Sequence, residues 1–179
     1  MYAPSFRPGG TPLMGRRIRV RGQVQGVGFR PFVWQLAERL GITGSVRNDA
    51  EGVLILAEGP DLEAFEAALR AEAPPLARVD AVESTPFEVI ARDFTIEASG
   101  PKGAETAVTP DAATCEACAR EIRVPGRRQG YAFTNCTHCG PRFTILKGLP
   151  YDRAQTTMAP FTLCPACRAE YEIGRASCR

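Results

Sequence analysis

The chain has 179 residues, enough for one ordinary domain or two small ones, and its 44% hydrophobic and 23% charged residues exclude a disordered or collagen-like chain. Twenty-two Lys and Arg against 20 Asp and Glu leave a net charge of +2, too balanced to argue for nucleic acid or a membrane surface. No stretch reaches the roughly 18 apolar residues of a membrane span and no signal peptide is legible, so the expected setting is the cytoplasm.

Residues 1–14 are rich in Pro and Gly without periodicity and read as a flexible extension, with Met14 an equal candidate for the start. From Arg16, Ile18, Val20 and Val24 alternate with Arg and Gln as in a strand. A glycine-rich turn, GQVQGVGFR, then leads into a helix on which Phe32, Val33, Leu36, Ala37 and Leu40 recur at helical spacing. Pro31 suits its first position and Gly41 its end. Two apolar stretches about a polar turn at Asn48 to Gly52 predict a hairpin. Pro60 and Asp61 open a second helix with Leu62, Phe65 and Leu69 on one face, which Pro74 and Pro75 end. Two extended stretches, ARVDAVESTPF and DFTIEA, complete the unit over residues 15–99. The order β-α-β-β-α-β with one more short strand is the split βαβ of a ferredoxin-like sandwich, an α+β fold.

Residues 100–109 read as a linker. All seven Cys follow it, and six stand in C-x-x-C pairs: Cys115/Cys118, Cys136/Cys139 and Cys164/Cys167. With few apolar runs between them, residues 110–172 need a metal to supply part of their folding free energy. Cys115-x₂-Cys118-x₁₇-Cys136-x₂-Cys139 has the spacing of a four-thiolate zinc site, and a thioredoxin-like redox pair is disfavoured because neither pair opens a helix after a buried strand. His138, inside C-T-H-C, is expected to pack or face solvent. CEACAREI at Cys115 and CPACRAEY at Cys164 repeat at an offset of 49 residues, which makes Cys164 and Cys167 ligands of a second finger truncated after 167 and the chain a fragment. The final IGRASCR, residues 173–179, reads as a translated sequencing adapter, leaving Cys178 without a ligand role.

Gly22, Gly26 and Gly28 match neither the dinucleotide-binding nor the P-loop pattern. A three-glycine strand-to-helix turn followed by Arg30 either cradles an anion with its backbone N–H groups and the helix end, or merely permits a tight turn. Asn48 is a candidate polar group and equally an ordinary hairpin residue.

Here the residues become recognisable. VRGQVQGVGFRPFV followed by GITGSVRNDAEGVLILAEG closely resembles the acylphosphatase pattern G-x-V-Q-G-V-x-F-R and G-x-V-x-N, over residues of about 16 to 98. The resemblance implies a phosphate-binding loop of Gln23, Val24, Gln25, Gly26, Val27, Gly28 and Phe29, with Arg30 binding phosphate and Asn48 positioning water. NCTHCGPRFTILKGLPYDRAQTTMAPFTLCPACRAEY is in turn similar to the zinc-finger region of the HypF-type carbamoyltransferases of nickel–iron hydrogenase maturation. That resemblance implies structural zinc, carbamoyl phosphate or another acyl phosphate as substrate, ATP used only in downstream domains, and a partner protein whose C-terminal Cys is carbamoylated. Hydrolysis is expected to be independent of zinc, because the cysteines lie outside the catalytic unit. Two other readings stand beside this one: a stand-alone acylphosphatase with a zinc-binding appendage, and a zinc-finger adaptor or nucleic-acid module using Arg127, Arg128 and Arg142.

Overall fold

A computed structural model describes residues 15–100, 109–131, 134, 136–138, 143–149 and 152–172. The first unit is built from β1 (Arg16–Gln23), α1 (Phe29–Leu40), β2 (Thr43–Asp49), β3 (Gly52–Glu58), α2 (Leu62–Ala71), β4 (Arg78–Pro86) and β5 (Phe94–Ile96). The strands form one sheet in the order β4-β1-β3-β2-β5, antiparallel except for the β2–β5 pair. This is the ferredoxin-like sandwich expected from the alternation of elements.

The register explains why the pattern suffices. Ile18 lies opposite Ile55, and Ile55 opposite Val46, so an apolar row crosses β1, β3 and β2 on one face. All three are fully buried, under Val33, Leu36 and Ala37 of α1 and Leu62, Phe65 and Leu69 of α2. Burying a side chain such as Phe65 contributes roughly 1.5–3 kcal/mol. Arg19 and Arg21, alternating with these residues, pair with Asp49 and with Glu83 and Glu51.

The helix ends carry the expected signals, with one correction. Gly41 takes the left-handed conformation at φ 64° and its N–H donates to the carbonyls of Ala37 and Glu38. Asp61 caps α2 by accepting from the Ala64 N–H at 2.9 Å. However, α1 begins at Phe29, so Pro31 is its third residue rather than its first. The position is still tolerated, since none of the first-turn N–H groups has an intrahelical acceptor. Asn48 also differs: it is a strand residue of β2 opposite Val53, one place before the end, and the turn itself is Ala50-Glu51.

Beyond the sheet, α3 (Glu116–Arg123) and α4 (Pro165–Glu172) are helices of 8 residues, each starting directly after the first cysteine of a pair. The internal repeat is thus also a structural one. Cys115 and Cys164 each open a helix, but irregular chain rather than a buried strand precedes each, in keeping with the case against a thioredoxin-like pair. Among the described residues no helix is long and apolar enough to cross a membrane. The extension at 1–14, linker residues 101–108 and the tail with Cys178 lie outside the described residues.

Candidate functional site

The turn between β1 and α1 is shaped by Gly26 and Gly28, at φ 71° and 75°, values that L side chains rarely adopt. Val24, Gln25, Val27 and Phe29 are each at most 1% exposed. Their side chains are therefore committed to the interior, and what the loop can offer an anion is its backbone and the positive end of the 12-residue α1. Gln23 is likewise engaged elsewhere, donating from Nε2 to the Leu76 carbonyl at 3.0 Å.

Gln25 has a role the sequence did not show. Its Nε2 donates to the carbonyls of Asp49 and Gly52, both at 2.8 Å, and so straps the loop to the β2–β3 turn. That strap sets the distance between the two candidate polar groups, because Asn48 precedes Asp49 and Arg30 follows the loop. With its amide oxygen toward Arg30, Asn48 accepts from Nη2 at 3.3 Å and from Nε at 3.2 Å. Asn48 is 1% exposed, and the Arg30 side chain 16%. The structure thus brings Arg30 and Asn48 into direct contact at the mouth of the loop.

Three further segments meet there. After β5 the chain continues along β2: Glu97 N donates to the Val46 carbonyl, and Gly100 N to the Asn48 carbonyl at 2.8 Å. This brings Ser99 beside Arg30, whose Nη1 donates to Ser99 Oγ at 3.4 Å. From beyond the linker, Thr109 Oγ1 donates to the Gln25 carbonyl at 3.2 Å, and Asp152 accepts from Arg30 Nη2 at 2.9 Å. A Cβ on Gly28 would stand 2.7 Å from the His138 carbonyl, so the cysteine-rich region packs directly on the loop. Although the cysteines themselves lie outside the sheet unit, Thr109, His138 and Asp152 all touch the cradle.

In the cysteine-rich region, the Sγ atoms of Cys115, Cys118 and Cys136 lie within 4.8 Å of one another. Cys118 and Cys136 are fully buried, and the Cys115 N–H donates to Cys136 Sγ at 3.0 Å. Three convergent sulfurs with a backbone N–H on one of them suit a tetrahedral thiolate site for zinc. Cys139, expected as the fourth ligand, lies outside the described residues. Thr137 and His138 adopt φ 55° and 49°, which curls the chain into a knuckle after Cys136. Asp111 braces it, accepting from Thr137 Oγ1 at 3.2 Å, Phe143 N at 2.7 Å and Thr144 N at 3.2 Å. Burial opposes the Asp111 charge, but hydrogen bonds from the Thr144 side chain, the Phe143 and Thr144 N–H groups and Thr137 outweigh it and hold the carboxyl below the usual carboxylate range.

Cys164 and Cys167 form a separate pair, not gathered with the other three. Cys167 N donates to Cys164 Sγ at 3.4 Å, and Arg127 Nη1 stands 3.1 Å from Cys167 Sγ. The Cys167 N–H and thiol, with the Arg127 charge, pull the Cys164 thiol down. Arg128 is 11% exposed and pairs with Glu121 at 2.9 Å. Arg127 is exposed and directed at the Cys167 sulfur, and Arg142 lies outside the described residues.

The acylphosphatase family model matches residues 16–96, and the HypF finger model residues 114–146. The acylphosphatase of Caldivirga maquilingensis is 48% identical over 82 residues, covering 44% of this chain and 85% of that protein. Carbamoyltransferase HypF of Rhodobacter capsulatus is 72% identical over 158 residues, 87% of this chain but 21% of the relative. A crystal structure of full-length HypF in the phosphate- and nucleotide-bound form superposes with a TM-score of 0.81 at 40% identity, covering 92% of this chain and 22% of that one. The chain thus spans about a fifth of the length of these larger relatives.

Proposed function

Because the chain belongs to the acylphosphatase family and carries a HypF finger beside that domain, we propose that its first unit hydrolyses acyl phosphates, with Arg30 binding the phosphoryl group and Asn48 placing the attacking water. The observation that supports this most is the contact of Arg30 with Asn48 at the mouth of a glycine-shaped loop on a helix N-terminus. The loop amides and the guanidinium stabilise charge on the phosphoryl oxygens as it develops. With its oxygen on Arg30, the Asn48 amide turns its nitrogen to donate to a water and orient it for in-line attack. An acyl phosphate releases a carboxylate or carbamate, which needs no proton from a strong general acid, and this reading assigns none.

The 72% identity to a carbamoyltransferase HypF supports carbamoyl phosphate as the acyl phosphate. On this reading the chain is part of a longer cytoplasmic protein whose other domains use ATP and the released carbamate. These would carbamoylate the C-terminal Cys of a partner in nickel–iron hydrogenase maturation. Zinc held by Cys115, Cys118, Cys136 and Cys139 would be structural, fixing the knuckle rather than entering the reaction, and Cys164 and Cys167 would belong to a second such site.

Phosphate release from carbamoyl phosphate and acetyl phosphate, set against p-nitrophenyl phosphate, tests the hydrolase. Both acyl phosphates should be turned over, and the monoester roughly 100-fold or more less efficiently, because its leaving group needs a general acid. Comparable rates on the monoester, or no release from either acyl phosphate by folded protein, would overturn the reading.

A further inference from the structure

Asp152 reaches Arg30 from 122 residues further along the chain. One carboxylate oxygen accepts from Arg30 Nη2 at 2.9 Å and the other from the Ser99 N–H at 3.3 Å, while Ser99 Oγ accepts from Arg30 Nη1 at 3.4 Å. The three groups close a ring of hydrogen bonds. The Arg30 and Asp152 side chains are only 16% and 20% exposed, so the pair is screened less than an ion pair on the open surface.

Main-chain hydrogen bonds tie Asp152 to its described neighbours. Lys147 N donates to the Gln155 carbonyl at 2.7 Å and Thr157 N to that of Ile145 at 2.8 Å, closing a small antiparallel loop. Within it Gln155 N donates to the Asp152 carbonyl at 2.8 Å, and Thr156 is 1% exposed.

From this arrangement we infer that Asp152 is a positioning residue for Arg30, by which the finger region completes the acyl-phosphate site. The inference rests on the reading of Arg30 as the phosphoryl-binding group. A guanidinium is a planar fork on a flexible stem, useful for binding a phosphoryl group only when its plane is fixed. Asn48 holds the Nε edge, Ser99 the Nη1 corner, and Asp152 the Nη2 corner. Both carboxylate oxygens are engaged, one on the guanidinium and one on the main chain of the sheet unit. That is the geometry of a brace. A carboxylate standing in the phosphoryl group's place would compete with substrate, and its removal would act in the opposite direction.

The test uses the full chain and acetyl phosphate, with Asp152→Ala, Asp152→Asn, Arg30→Ala and the double variant Arg30→Ala/Asp152→Ala. Asp152→Ala should lower kcat/KM about 10- to 100-fold, the range expected when a reacting group loses its alignment. Asp152→Asn keeps an acceptor for one of the two donors and should fall between it and the wild type. In the Arg30→Ala background, removal of Asp152 should cost less than about 2-fold more, because the two act through one group. Unchanged kcat/KM, a gain in activity or phosphate affinity, or a loss that persists in full without Arg30 would each overturn the assignment. The Arg30 Nε–H resonance gives a readout independent of turnover: slow to exchange in the wild type, it should broaden into solvent in Asp152→Ala. If the wild type fails to hydrolyse acetyl phosphate, the hydrolase reading fails, and this resonance still decides whether Asp152 holds the guanidinium.

Discussion

Replacing Gln25 with Met isolates the strap between the loop and the β2–β3 turn. Met has nearly the volume of Gln and needs no partner, so at a position 1% exposed it should leave little cavity. What it removes is the pair of 2.8 Å hydrogen bonds from Nε2 to the Asp49 and Gly52 carbonyls. At about 0.5–1.5 kcal/mol net per bond, the loss is about 1–3 kcal/mol. For a unit of this size, each kcal/mol lowers the midpoint by about 4–8 °C, so a central loss of about 2 kcal/mol means a fall of roughly 8–16 °C. Trp34 reports on this unit, since it lies on α1 and donates from Nε1 to the Phe94 carbonyl of β5 at 3.0 Å. Its fluorescence should be followed in thermal and urea unfolding. Because the strap also sets the approach of Arg30 to Asn48, kcat/KM for an acyl phosphate should fall in protein that is still folded. A midpoint within about 2 °C of the wild type, with unaltered kinetics, would refute the strap.

Arg30→Ala should raise KM and lower kcat together, because the phosphoryl group is anionic throughout, whereas Asn48→Ala should chiefly lower kcat, by about 10²- to 10³-fold, as for loss of another preorganised polar group. Steady-state kinetics on acetyl phosphate separate the two, and unchanged turnover in Asn48→Ala removes that residue from the mechanism. Chelation should take one tightly held zinc ion per chain and loosen the knuckle while Trp34 fluorescence reports an intact sheet unit. Because His138 and Asp152 pack on the cradle, acyl-phosphate turnover should fall with it, and full activity after complete metal removal would contradict that coupling.

What was legible in the sequence was what short-range pattern encodes. Alternation in β1, helical spacing in α1 and α2 and the cap at Gly41 depend on residues within a few positions of each other, and the structure keeps them. The C-x-x-C spacing sets Cys115 and Cys118 side by side for the same reason, whereas Cys136, 21 residues from Cys115, joins them through the chain's longer-range folding, which the recurrence of a second cysteine pair signalled without fixing its path. Pro31 was misplaced by two positions because a helix start is fixed by the backbone of the preceding turn, here Gly28, which the position of a proline does not reveal. Gln25 read as one more loop residue because its acceptors are main-chain carbonyls, which carry no sequence signature. Thr109 and Asp152 could not be read at all. They lie 84 and 122 residues from their partners, in a stretch whose cysteines draw the whole interpretation toward metal.

The separation of Arg30 from Asp152 also sets an order in time. Chains are synthesised at about 5–20 residues per second, so Asp152 follows Ile96, the last residue of the sheet, by about 3–11 s. Helices and hairpins form in microseconds, and a mixed sheet of this size closes within that interval. The nascent protein therefore passes through a period in which loop, Arg30 and Asn48 are in place but the Nη2 corner lacks its carboxylate. On the brace reading, a polypeptide caught at that stage would be folded yet poorly active, and full hydrolytic competence would arrive with the finger.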